Sequence, residues 1–213
     1  MTHRITPLAA ALAIITALLL PASASEAGPD TASPSVTSVP AINQVKFGDE
    51  TMTAQFKSTK ITVEHVTLSS AKSFEAVRSA LEASVPAMDL DYAKLLKAGK
   101  VDEARELLER QAPLSIFGSR DHGDVLLTAG LSRKAIQYDI GNPLTAASMT
   151  RHVVSSALYA PIRVLLREDG AGGVAFEYDR PATTFGQFGD PKVDSAAGDL
   201  DNLLRSVLAA AAD

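Results

Sequence analysis

The stretch KAIQYDIGNPLTAASM, residues 134–149, constrains the fold of this chain more than any other. Apolar and polar residues alternate through AIQYDI, which is typical of a strand with one buried face. Gly141-Asn142-Pro143 follows directly. Gly and Asn tolerate positive φ, and Pro suits the first residue of a helix because its missing N–H needs no partner there. The sequence therefore predicts a strand that turns rigidly into a short helix.

Further strands are predicted on both sides of this stretch. YAPIRVLLR alternates in the same way, EDGAGG is typical of a hairpin connection, and VAFEY predicts the returning strand. Upstream, KITVEHVTL at residues 60–68 is rich in β-branched residues, and LSIFGS is a short apolar run. These segments together predict an antiparallel sheet.

Helical spacing marks three other segments. Apolar residues recur at this spacing in SFEAVRSALEASV, where Ser73 can cap the first turn. Residues 88–111 predict an inserted pair of short helices that join at Gly99. The clearest helix spans residues 193–211 and starts after Asp190-Pro191. The predicted class is α+β: a curved antiparallel sheet with helices packed on one face, the helical insertion and a long C-terminal helix.

The first 57 residues are not predicted to belong to the folded domain. Arg4 precedes an apolar run at residues 8–20, and Ala22 and Ala24 form the small-residue pattern that signal peptidase reads. We expect a signal peptide at residues 1–24, cut after Ala24, and a periplasmic or secreted protein without a stable membrane span. Residues 25–57 are rich in Ser and Pro and predict a flexible linker. One α+β domain would then fill residues 58–213.

Composition narrows the chemistry. The chain contains no cysteine, which excludes thiol catalysis, zinc–thiolate sites and iron–sulfur clusters. The formal net charge of -5, with acids and bases interspersed, is typical of an ordinary acidic surface. Such a surface is a poor match for nucleic acid, so we expect no nucleic-acid partner. An exposed strand at a sheet edge would allow a second copy to pair with it, as a homodimer.

DHGDVLLTAGLSRKAIQYDIGNPLTAASM, followed by LYAPIRVLLREDGAGGVAFEYDRP, resembles the "domain of unknown function 302" family over roughly residues 60–181. That family shows an Asp-His pair before a short helix, a strand ending in Gly-Asn-Pro, a later Met, a Pro-x-Arg/Lys-Val strand and a hairpin ending in Tyr-x-x-Pro. The matching positions are Asp121, His122, Gly141, Asn142, Pro143, Met149, Pro161, Arg163, Tyr178 and Pro181. The resemblance implies a fold similar to the TATA-box-binding-protein class and no established reaction.

Six of the matched positions are our candidates for a ligand-binding site: Asp121, His122, Gly141, Asn142, Met149 and Arg163. A strand-to-helix turn also presents N–H groups that could hold an anion. Turn chemistry favours the simpler interpretation, in which the turn only orients the next helix. We therefore predict an exported, non-enzymatic module that binds a small ligand or a protein partner.

The alternative is a metal- or haem-binding envelope protein with a redox or stress role. Met149 and His152 are three residues apart and would share a helix face, and His122 could join them. Thioether and imidazole suit copper, or haem iron with axial His and Met. Against this, a Met on a helix usually fills the core, and His122 could hydrogen-bond locally.

Catalysis has no signature in the sequence. Asp121 and His122 are chain neighbours, and no Gly-x-Ser-x-Gly elbow accompanies them. We predict no catalytic residue, although a reaction stays an open alternative.

Overall fold

The structure, a computed structural model, describes residues 55–169 and 172–213. The predicted signal peptide and nearly all of the predicted linker lie outside these residues. Lys57–Asp213 forms one compact unit. Its strands are β1 (His65–Ser70), β2 (Ser115–Asp121), β3 (Ala135–Gly141), β4 (Ile162–Glu168) and β5 (Val174–Asp179). Its helices are α1 (Phe74–Ser84), α2 (Asp91–Lys97), α3 (Val101–Glu109), α4 (Gly123–Leu126), α5 (Pro143–Thr150), α6 (Pro181–Gly186) and α7 (Pro191–Ala212).

The five strands form one antiparallel sheet in the order β1-β5-β4-β3-β2. The strands at its two edges are therefore β1 and β2. The outer edge of β2 is partly covered, because Met88 N donates to Ile116 O at 2.9 Å and Ile116 N donates to Pro86 O at 2.8 Å. This short bridge occupies backbone groups that a second chain would otherwise use.

One face of the sheet forms the core. Ile136, Tyr138 and Ile140 of β3 are buried and alternate with half-buried Gln137 and Asp139. Helices α1 and α7 cover this face with apolar stripes, whose buried members include Val77, Leu81, Val193, Ala197, Leu204 and Leu208. The predicted α+β class, with an antiparallel sheet and helices, is confirmed.

The opposite face of the sheet carries charged side chains. His65 Nδ1 lies 3.1 Å from Asp179 Oδ1, and an Arg120 nitrogen lies 2.9 Å from Asp139 Oδ2. His65 and Arg120 are more than half exposed, so solvent screening leaves these pairs only a small contribution to the stability of the fold.

Helix ends follow the predicted local chemistry. Ser73 caps α1 through its hydroxyl, and the carboxylate of Asp190 accepts from Lys192 N and Val193 N at the start of α7. The pKa of Asp190 is lowered, chiefly because Val193 N–H donates to the charged form. Gly99 adopts a φ of 74° between α2 and α3, as a left-handed C-terminal position requires.

One boundary and one helix differ from the prediction. The first strand begins at His65 rather than at residue 60, because pairing with β5 starts only at His65↔Asp179. Helix α6 was not predicted, although Pro181 at its first turn is a usual helix-start signal. Within the described residues, no helix combines the length and the apolarity needed to cross a bilayer.

Candidate functional site

An apolar crevice of about 320 Å³ opens beside the Gly141-Asn142-Pro143 turn. Its inner wall consists of core residues at the end of β3, the start of β4 and the middle of α7. Helix α5 forms a second wall, and residues from α2 and β2 complete it. The lining residues are Tyr92, Phe117, Ile140, Gly141, Asn142, Pro143, Thr145, Ala146, Ala147, Met149, Thr150, Ala160, Pro161, Ile162 and Leu200.

None of these lining residues is an Asp, Glu, Lys, Arg or His. The polar groups among them are an amide and hydroxyls, including those of Tyr92 and Thr145, which have no hydrogen-bond partner among the described residues. Apolar walls with a few polar groups are typical of small-molecule sites, and the volume lies at the lower end of their range. The crevice therefore suits an apolar molecule with one or two polar atoms.

Asn142 builds the turn rather than an anion site. Its Oδ1 accepts from Leu144 N at 2.8 Å and from Thr145 N at 3.2 Å, and its Nδ2 donates to Pro113 O at 3.2 Å. Pro143 has no N–H to offer, and Ala146 N is bonded within the helix to Asn142 O. The N-terminal donors of α5 are therefore already satisfied, and the simpler interpretation of the turn fits them better than the anion hypothesis.

Gly141 and Phe117 approach each other at the mouth of the crevice. The register of β2 shifts between Ile116 and Gly118, which leaves Phe117 unpaired in a bulge. A Cβ on Gly141 would lie 3.7 Å from Phe117 Cε2 and only 3.3 Å from Pro161 Cβ. Glycine at 141 therefore lets the strand end pass close to Pro161 while the crevice stays open.

Met149 belongs to the core and to the crevice wall at once. It is 1% exposed and lies in the main apolar cluster together with Ile140, Ile162 and Leu200. The thioether thus packs among aliphatic side chains, which is the usual role of a helical Met.

The other predicted site residues lie elsewhere. His122 is exposed, and its Nε2 lies 3.0 Å from Oε1 of Gln137, a residue on the face opposite the core. Arg163 lines the same open face as His122, in a shallow groove that also contains His65. Asp121 Oδ1 accepts from Gly123 N at 2.8 Å and serves the turn before α4. The six candidates thus divide between two faces of the sheet and one turn.

The predicted metal set is not assembled. Met149 lies under the core face, whereas His122 bonds to Gln137 on the open face, so the sheet separates them. His152 follows the end of α5 and is exposed. In the described part of the chain, no three side chains of His, Cys, Asp or Glu converge as metal ligands would.

Groups with shifted pKa values lie away from the crevice. Tyr138 is buried on the core face and donates to Glu82 Oε1 at 2.9 Å. Burial, followed by this hydrogen bond, raises the pKa of Tyr138. The Glu75 carboxylate accepts from Lys134 Nζ at 2.8 Å, which lowers the pKa of Glu75. The Tyr138–Glu82 bond connects α1 to β3, and the Glu75–Lys134 bond connects α1 to the residue before β3.

Sequence reasoning found one wall of the crevice and missed the others. Tyr92, Phe117 and Leu200 are far apart in the chain, and no local pattern links them. Pro161 was among the matched family positions but was not proposed as a site residue. The sequence signal that could have identified Pro161 was its position directly before β4.

Comparison with known proteins shows that this α+β fold has been seen before in a solved structure. It is similar to a crystal structure described as "uncharacterized conserved protein DUF302 from Bacillus stearothermophilus", with a TM-score of 0.51 and 15% sequence identity. The similarity covers 69% of this chain and 97% of that chain. At this identity it shows the fold alone. No curated protein matches the chain in sequence.

The family model "Domain of unknown function DUF302" matches residues 92–211, which is more than half of the chain. The chain belongs to this family, as the motifs indicated. The match begins inside the stretch predicted as a helical insertion and runs through nearly all of α7.

Proposed function

We propose that this protein is a binding module for a small apolar ligand, held in the crevice beside Gly141. The observation that carries the proposal is the composition of the crevice: apolar walls, free hydroxyls and no Asp, Glu, Lys, Arg or His among its lining residues. Burial of about 25 cal/mol per Å² of apolar surface would supply most of the affinity. The hydroxyls of Tyr92 and Thr145 would orient one polar atom of the ligand.

The same composition argues for binding rather than catalysis. A general acid or base must lie within hydrogen-bond reach of the reacting atom. The described residues that line the crevice offer only hydroxyls and one amide. Asn142, the amide, is already engaged by three hydrogen bonds that build the turn. A ligand in this crevice would be held with no carboxylate, imidazole, amine or guanidinium group among the lining residues.

The proposal is tested with a neutral fluorescent probe, N-phenyl-1-naphthylamine, whose emission rises in apolar surroundings. Ala146 is half-buried on the crevice wall, so Ala146→Leu should fill the space and weaken probe binding at least about tenfold, a loss of about 1.4 kcal/mol. Ala83→Leu makes the same change at an exposed position of helix α1 and serves as the matched control. Equal binding by wild type and Ala146→Leu, with both folded, would contradict the proposal.

We also propose that the protein acts outside the cytoplasm after cleavage behind Ala24. The support is the charged start, the apolar run at residues 8–20 and the small residues before the cut. Amino-terminal sequencing of the protein from the periplasm or medium should begin at Ser25. An uncleaved chain retained in the cytoplasm would overturn this part of the proposal.

A further inference from the structure

A second apolar groove, of about 590 Å³, lies between the α2–α3 pair and α5. Its floor contains the buried residues Ala104 and Leu108, and its rim contains Leu96 and Val101, which are 46% and 54% exposed. Helix α2 contributes no fully buried residue. The α2–α3 pair therefore presents apolar surface to a space that the protein itself does not fill.

The groove and the crevice adjoin. Both are lined by Tyr92, Pro143 and Ala147, so the two spaces share part of their walls. Ala147 is exposed and small. Ala147 therefore presents only a methyl group where the two spaces share a wall.

Two arginines line the groove. Arg105 of α3 and Arg151 at the end of α5 both line it, and neither forms an ion pair with another described residue. Glu109 is the one acidic residue among the groove's lining side chains. On a chain of net charge -5, two unpaired guanidinium groups facing one apolar groove are a local departure from the overall sign. Guanidinium is well suited to carboxylate and phosphate oxygens.

We infer that the ligand is a single-chain anionic amphiphile: its alkyl chain lies in the crevice, crosses Ala147, and places a carboxylate or phosphate head group near Arg105 and Arg151. This inference rests on the proposed function and names its ligand class. The apolar walls account for the chain, and the two arginines account for the head group. A fatty acid and a monoalkyl phosphate share this chemistry.

The first experiment compares three twelve-carbon ligands, dodecanoate, dodecyl phosphate and dodecanol, as competitors of N-phenyl-1-naphthylamine. Both anions should bind more tightly than the alcohol, about fivefold for each engaged arginine, and less so at high salt. Arg105→Gln and Arg151→Gln should remove that preference. Arg110→Gln is the matched control, because Arg110 directly follows α3 but does not line the groove, and its guanidinium lies 3.7 Å from the Glu106 carboxylate.

The second experiment varies chain length. Affinity should rise about fourfold per methylene while the chain is being buried. Ala147→Phe should block the passage and stop this rise at a shorter chain, while Ala147→Ser should leave the profile unchanged. Far-UV circular dichroism shows that each variant is folded.

The outcomes separate the two proposals. If the wild type does not bind the neutral probe, the crevice proposal itself fails. If the probe is bound but the alcohol competes as well as the anions, the crevice proposal stands and the amphiphile is wrong. An unchanged chain-length profile in folded Ala147→Phe would likewise overturn the joined site. Which anion binds more tightly identifies the head group.

Discussion

Truncation of Met149 tests whether its side chain is part of the core. Met149 is 1% exposed in the main apolar cluster, and Met→Ala changes at such positions cost about 2–5 kcal/mol. Because Met149 also lines the crevice, the space it leaves joins an existing opening that water can enter. We therefore expect the lower part of that range for Met149→Ala, about 2–3 kcal/mol.

The assay is urea unfolding followed by far-UV circular dichroism, with a thermal scan that should show a fall of about 5–10 °C in Tm. Met149→Leu keeps the volume and should cost less than about 1.5 kcal/mol. Leu96→Ala, at a residue 46% exposed, is the control for truncation outside the core. A loss for Met149→Ala no larger than that for Leu96→Ala would refute the core assignment.

Met149→Leu, together with His122→Ala, also tests the metal hypothesis, which stays a prediction. Native mass spectrometry of wild type offered copper or haem would detect a retained group. Met149→Leu conserves packing and removes only the sulfur, so loss of a retained group in this variant would favour ligation. Retention unchanged by Met149→Leu and by His122→Ala would exclude both side chains as required ligands.

Two further predictions concern helix starts. Asn142→Ala should lower the free energy of unfolding by about 1 kcal/mol in urea, since it removes the cap of α5. Asn142→Asp should keep most of that stability, because a carboxylate can accept the same two bonds. Unchanged stability of Asn142→Ala would contradict the role of the cap. The stability that Asp190 contributes should be complete above the ordinary carboxyl pKa, about 4, and should be lost as pH falls through its lowered folded pKa. The stability difference between wild type and Asp190→Asn should therefore change between pH 7 and pH 3, and a difference independent of pH would count against the lowered pKa.

Elements with strong local patterns were predicted well. The structure confirms α1 with its Ser73 cap, the two short helices joined at Gly99 and the long helix α7. Each depends on residues within one or two turns, through capping or apolar periodicity. The start of β1 was misplaced because β-branched residues alone do not reveal where a partner strand begins.

The candidate site was predicted only where it is local. Gly141 and Asn142 were chosen for a turn whose chemistry lies within a few residues, and they do border the crevice. His122, Arg163 and Asp121 were chosen by resemblance, which carries no information about which face of the sheet each occupies. Alternation along β3 predicted which of its residues lie on each face of the sheet. It did not place His122, which follows β2 and contacts Gln137 of β3.

The sequence by itself determined most of the secondary-structure elements, the turn into α5 and the family, because periodicity, capping and motif spacing act between near neighbours. The tertiary structure alone decided that Met149 is buried, that β2 carries a bulge at Phe117, and that Tyr92, Pro161 and Leu200 meet around one crevice. A cavity is the space left over after distant segments have packed. Its shape depends on long-range contacts, which no local pattern records.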